Sequence, residues 1–174
     1  MGYDFRSDPI LSQAFDYWRG KCGARSMPQR RDIDPTEIPR LLPHIQITEN
    51  VGARIRYRLA GSAIVEAYGG ELKGKFFDEV LSGERLRFVE ANHRLVCTEK
   101  RPILVSGSYL SKKEIPLVCN RVVMPLSEDG VNVNQCFTVM TFQFPGKASE
   151  WFGQWSGNSG NFDFARSHCE IIRD

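Results

Sequence analysis

The sequence lacks most of the signatures that announce a reaction. It has no Cys-x-x-Cys pair, no phosphate-binding glycine loop, no Gly-x-Ser-x-Gly nucleophile turn and no His-Glu zinc helix. Ser106-Gly107-Ser108 is only a fragment of a nucleophile turn and lies inside a strand pattern. No two carboxylates stand at a spacing that would pair them for acid–base work. Those absences argue against an enzyme. Charge is nearly balanced, with 23 basic against 21 acidic residues and a net charge of +2, which argues against a general nucleic-acid binder. No apolar run approaches membrane-spanning length, and the opening MGYDFRSDPI has no secretory pattern, so the expectation is a soluble, cytoplasmic protein with no membrane partner. The five cysteines, Cys22, Cys97, Cys119, Cys136 and Cys169, are scattered and odd in number, as reduced core thiols are.

What remains is a chain of 174 residues, 41% hydrophobic, long enough for one well-buried domain with extensions. Asp8-Pro9 reads as a helix start, and Leu11, Ala14, Phe15, Trp18 and Cys22 then recur on one face. A helix this short is marginal in water, so the stripe must pack on something: the chain's own sheet or a second copy across a homodimer. From Arg19 to Arg31 there are five basic residues and no acidic one. That run is a solvated face or a phosphate-contacting patch, and no glycine-rich loop accompanies it. Asp34 is placed to cap a short turn with Pro35 first and Glu37 closing a capping box, while Pro39 and Pro43 keep the turn short.

Ile45–Val51 reads as a first strand, Gly52 as a hairpin turn and Arg54–Leu59 as a second strand with Arg54, Arg56 and Arg58 on one side. Gly61 breaks that period, Ser62 caps a short helix bearing Ile64, Val65 and Tyr68, and Gly69-Gly70 stops it. Leu72 drops into the core and Gly74 sets up a turn around Phe76 and Phe77. Glu84–Thr98 carries the longest helical pattern, with Leu86, Val89, His93 and Val96 on one face. Three strand patterns follow, Ile103–Leu110, Pro116–Leu126 and Val133–Phe144, with a glycine turn at Gly130. After Pro145 the composition changes: Trp151, Phe152 and Trp155 cluster, and SGNSGN reads as a break. The aromatics there either fold back on the core or engage a partner.

This order of two strands, short helices, one long helix and three strands resembles a PAS domain, and Leu72, Gly74, Lys75 and Asp78 match its Leu-x-Gly-Lys step. Tyr17-Trp18, the segment Met27-Pro28-Gln29-Arg30-Arg31-Asp32-Ile33-Asp34-Pro35 and Leu41-Leu42-Pro43 resemble, in order, a family of short stand-alone bacterial PAS-like proteins. The resemblance implies an α+β fold: a five-stranded antiparallel sheet with short helices and one long helix on one face. An N-terminal helix and proline-rich connection (residues 1–43) would precede the core (44–144), and a tail (145–174) would follow it. It further implies a non-catalytic sensory or adaptor module of bacterial signal transduction that binds a small molecule or a signalling partner; a homodimer through the N-terminal helix is the expectation from its apolar stripe.

In such folds ligands sit between the long helix and the sheet. The residues placed there are Tyr57, Leu59, Ile64, Tyr68, Phe77, Val89, His93, Val105, Arg121, Met140 and Phe142, which either line a pocket or close a plain hydrophobic core. Arg121, in an otherwise apolar strand, pairs with a ligand anion or faces solvent. His93 sits nearer the end of its helix than the haem-ligating histidine of haem-binding PAS sensors, and Gly74-Lys75-Phe76-Phe77 replaces the Asn-Cys-Arg of flavin photoreceptors. No cofactor is therefore expected. His93, His44 and His168 have no metal-ligand spacing. The alternative reading is a small cone-shaped α+β isomerase or hydrolase, which would need a buried acid paired with His93.

Overall fold

A computed structural model describes residues 3–110, 116–143 and 162–173. Its first helix, α1 (Pro9–Cys22), begins where the carboxylate of Asp8 accepts the backbone N–H groups of Ile10 and Leu11. The strands are β1 (Ile45–Val51), β2 (Arg54–Ala60), β3 (Ile103–Leu110), β4 (Pro116–Leu126), β5 (Gln135–Gln143) and β6 (Phe162–Ile171). Between β2 and β3 lie α2 (Ser62–Tyr68), α3 (Phe77–Val80) and α4 (Gly83–Glu99). All pairings are antiparallel, in the order β2-β1-β5-β4-β3-β6.

The sheet therefore has six strands, not the expected five. The added strand comes from the tail and pairs with β3, Ile103 facing Ile171 and Val105 facing Cys169. The tail aromatics Trp151, Phe152 and Trp155 fall outside the described residues.

Both faces of the sheet are covered. The apolar stripe of α1 is spent on the chain's own sheet: Leu11, Ala14, Phe15, Trp18 and Cys22 are buried with Ile45, Val122, Met124, Phe137 and Val139. Trp18 anchors this layer, its indole N–H donating to the carbonyl of Pro125 at 2.9 Å. The side chain of Thr141 donates to Asp8 at 2.8 Å, tying the cap of α1 to β5. Met27, Ile33, Ile38 and Leu41, from the proline-rich connection, complete the same core. On the opposite face α2, α3 and α4 enclose a second cluster around Tyr57, Phe77 and Met140.

Three local expectations need correction. The N-cap of α2 is Gly61, not Ser62, and its side chain is what must be missing: a Cβ there would collide with the backbone carbonyls of Leu42 and Pro43. Glu37 closes no capping box; its carboxylate accepts from the Tyr17 hydroxyl at 2.8 Å and pairs with Lys21 at 2.6 Å. The Arg54/Arg56/Arg58 alternation is broken by a bulge. Ile47 faces Leu59 while Thr48 faces Tyr57, so Arg58 is the extra residue and the strand switches faces there.

Candidate functional site

The candidate site is the layer between α4 and the sheet. Strand parity decides what enters it. In β5, Phe137 and Val139 face α1, so Thr138 and Met140 face α4; their cross-strand partners Gln46, Val123 and Arg121 face the same way. Thr48 also faces α4, where its hydroxyl lies 3.0 Å from His93 Nε2.

Most of the expected pocket residues meet here. Tyr57, Ile64, Tyr68, Phe77, Val89 and Met140 share one buried cluster, with Phe142 half-buried at its edge. Tyr57 and Phe77 pack with ring centroids 4.7 Å apart, and Phe77 meets the His93 ring edge-on at 4.9 Å. Val105 faces the same layer through its partners Arg121 and Cys169, but its packing belongs to the larger core. Leu59 is not among them: the bulge turns it to the α1 side, half-buried.

His93 is held by two hydrogen bonds. A carbonyl can only accept, so Nδ1 carries the proton and donates to Val89 O at 3.2 Å, and Nε2 accepts from Thr48. Burial, with the nearby charge of Arg121, lowers its pKa to about 4, so the ring is neutral near pH 7. Neither partner is an acid, so the His–carboxylate dyad required by a cone-shaped isomerase or hydrolase is not formed at His93. Burial likewise pushes the Tyr57 hydroxyl and the Cys119 thiol up, keeping both protonated. Among the described residues no three His, Cys, Asp or Glu side chains gather as a metal site.

Sequence reasoning missed the polar part of this layer. Gln46, Thr138 and Asn92 are buried, and Gln46 Oε1, Thr138 Oγ1 and Asn92 Nδ2 have no hydrogen-bond partner. Gln46 and Thr138 are direct cross-strand neighbours, and Asn92 precedes His93 on α4. An unpaired buried polar group costs about 1–3 kcal/mol, so these three atoms have hydrogen-bonding capacity left over for water or a ligand. A signal was present in β1, where Gln46 and Thr48 alternate with Ile45 and Ile47. It pointed to the polar side as solvent, because nothing local reveals that both faces of the strand are buried.

A separate hollow of about 400 Å³ lies between the end of α1 and the start of β3, lined by Arg19, Arg25, Lys100, Arg101 and the flank of Trp18. Its cations stand at the C-terminal ends of α1 and α4, where helix dipoles favour positive charge.

The family model described as "PAS domain" matches residues 6–141. The chain belongs to the PAS domain family. No curated protein matches it significantly. Among solved structures, the PAS domain resembles VqmA of Vibrio cholera in a ligand–DNA complex, with 12% identity and a TM-score of 0.52, covering 76% of this chain and 62% of that one. The chain thus spans under two thirds of that relative's length. A Rhodobacter sphaeroides LOV protein aligns at 11% identity and TM-score 0.49, over 70% of this chain and 74% of its own. The LOV domain of the blue-light photoreceptor Aureochrome1 aligns at 13% and 0.45, over 68% and 95%. These likenesses concern the fold. No helix among the described residues is long and apolar enough to cross a membrane.

Proposed function

We propose that this PAS domain is a non-catalytic sensory or adaptor module of bacterial signal transduction, working in the cytoplasm, that binds a small molecule between α4 and the sheet and hands a packing change to a protein partner. The observation that carries this reading is the set of unpartnered buried atoms, Gln46 Oε1, Thr138 Oγ1 and Asn92 Nδ2, in the layer where Tyr57, Phe77 and Met140 supply apolar walls. A ligand offering one donor and one acceptor would satisfy them. Phe142, Tyr68 and Val89 complete its surroundings.

Transmission is assigned to α1. Residues 138 and 140 of β5 face the ligand layer while 137 and 139 carry α1, so one strand's thickness separates the two. A change of one or two kcal/mol in that docking shifts its equilibrium several-fold. A homodimer through the apolar stripe of α1 would have to undock it, since the exposed remainder is Pro9, Gln13, Asp16, Arg19 and Gly20. Nucleic acid is not a proposed partner. The basic stretch from Arg19 to Arg31 is broken up by ion pairs, Lys21 with Glu37 and Arg25 with Asp32 at 2.7 Å.

The test combines native mass spectrometry of the purified protein with hydrogen exchange on residues 9–22. The reading expects a retained small molecule and exchange in α1 that changes when it is removed. Replacing Gln46 by Leu together with Thr138 by Val should abolish retention while leaving the apo protein at least as stable. An empty protein whose stability falls in that double variant would show that these groups serve the fold alone.

A further inference from the structure

We propose that the ligand of this layer is a small organic anion, one carboxylate or phosphate on an apolar body, with Arg121 as its main counter-ion. This rests on the ligand-binding reading above and adds the ligand's charge.

Position comes first. Arg121 stands in the middle of β4 between two fully buried cross-strand partners, Val105 and Met140, and Cys119 precedes it by two residues on the same face. It is half-buried. A guanidinium cannot lose its charge inside a protein, so the site must tolerate or balance it.

Among the described residues no carboxylate balances it. Other arginines have carboxylates at hand: Arg6 meets Asp16 at 2.6 Å, Arg25 meets Asp32 at 2.7 Å and Arg54 meets Asp78 at 2.6 Å, while Arg56 pairs with Glu49. No described carboxylate pairs with Arg121. The positive charge of Arg121 bears on both His93 and Cys119, and that of Arg85 on Cys119 as well. Arg85, at the start of α4, stacks on the Tyr68 ring at 4.9 Å, bringing a second positive charge to the rim of the same cluster. His93, neutral and doubly bonded, supplies no counter-charge, and neither do the thiol of Cys119 or the hydroxyl of Tyr57.

The layer is thus electropositive at one end, neutral-polar at Gln46 and Thr138, and apolar along Met140, Val89 and Phe77. An anion with a short apolar body matches that sequence of surfaces. Its oxygens would take the guanidinium fork, which presents two parallel N–H groups.

The experiment titrates the full chain with three six-carbon probes, hexanoate, hexyl phosphate and hexanamide, by calorimetry. We expect one of the two anions to bind about ten-fold or more tighter than the amide, the gain of a charge-assisted over a neutral hydrogen bond. The tighter anion names the headgroup. Arg121→Gln should erase that preference, while Arg121→Lys should retain part of it. If Arg121→Gln does not fold, Arg85→Gln serves, and a weakened anion preference is expected there. Hexanamide binding as tightly as both anions would overturn the anionic assignment and leave the ligand-binding reading standing. Anion binding untouched by Arg121→Gln would also overturn it. Binding of none of the three overturns it too, and an empty protein in native mass spectrometry would then remove the ligand-binding reading as well.

Discussion

Replacing Trp18 by Ala tests whether α1 is a structural layer of this domain. The side chain is 5% exposed, sits 6.2 Å from the Phe15 ring centroid and donates its N–H to Pro125 O across 107 residues of sequence. Removing a buried Trp ring costs about 3–5 kcal/mol, since the lost transfer energy is joined by the cavity left behind. The Pro125 carbonyl also loses its donor, worth roughly another 1 kcal/mol if water does not replace it. At this chain length each kcal/mol lowers the thermal midpoint by about 2–4 °C, so a fall of roughly 6–24 °C is expected. Urea unfolding followed by far-UV circular dichroism gives the free energy directly, provided the transition is two-state. Trp18→Phe is milder: it keeps a six-membered ring and loses the hydrogen bond and part of the indole, so about 1–2 kcal/mol is expected. A Trp18→Ala loss below about 1 kcal/mol would refute the docking of α1 described above.

His93 gives a pH dependence. Its folded pKa, about 4, lies below the unfolded value of 6.5, so its neutral form contributes full stability above pH 6.5. Stability then falls as pH drops from 6.5 to 4, by roughly 3 kcal/mol in total, and His93→Gln should flatten that slope in urea titrations at stepped pH. Gly61→Ala forces a Cβ into two backbone carbonyls and should cost more than about 2 kcal/mol by the same assay. Lys100, at φ 53°, is the one non-glycine residue with positive φ among those described, so Lys100→Gly should stabilise by about 0.5–1 kcal/mol, read as a rise in the urea midpoint. The protein as purified should be colourless between 350 and 700 nm (roughly the haem and flavin range); a Soret band that His93→Ala abolishes would count against that, because Nε2 of His93 is already bonded to Thr48.

The elements were legible where the pattern is local. Asp8, Pro9 and the Leu11-to-Cys22 stripe set the bounds of α1, and Gly130 takes φ 77° at the turn before β5. What escaped was decided by contacts far apart in sequence. The bulge that turns Leu59 away depends on β1 register, and Gly61 is required by a carbonyl eighteen or nineteen residues earlier. In β6, Cys169 and Ile171 alternate with exposed His168 and Glu170, a pattern too short and too polar to stand out without β3 beside it. Of the site, the apolar walls and His93 were readable. The polar floor of Gln46 and Thr138 was not, because a polar side chain on an alternating strand is ordinarily taken to face water.

The strand order also bears on how this chain is made. β1 pairs with β5, Ile45 against Val139, and the β4–β5 surface is what covers α1. Until about residue 143 has left the ribosome, the stripe from Leu11 to Cys22 has no resting place, and β1 has only its hairpin partner β2. Until then, an apolar helix face and an unpaired strand edge are exposed together, as in an aggregation-prone intermediate. Closing loops of this length is slow, so folding of the domain should wait until β5 has been made. Its N-terminal segment would then spend that interval in need of a chaperone.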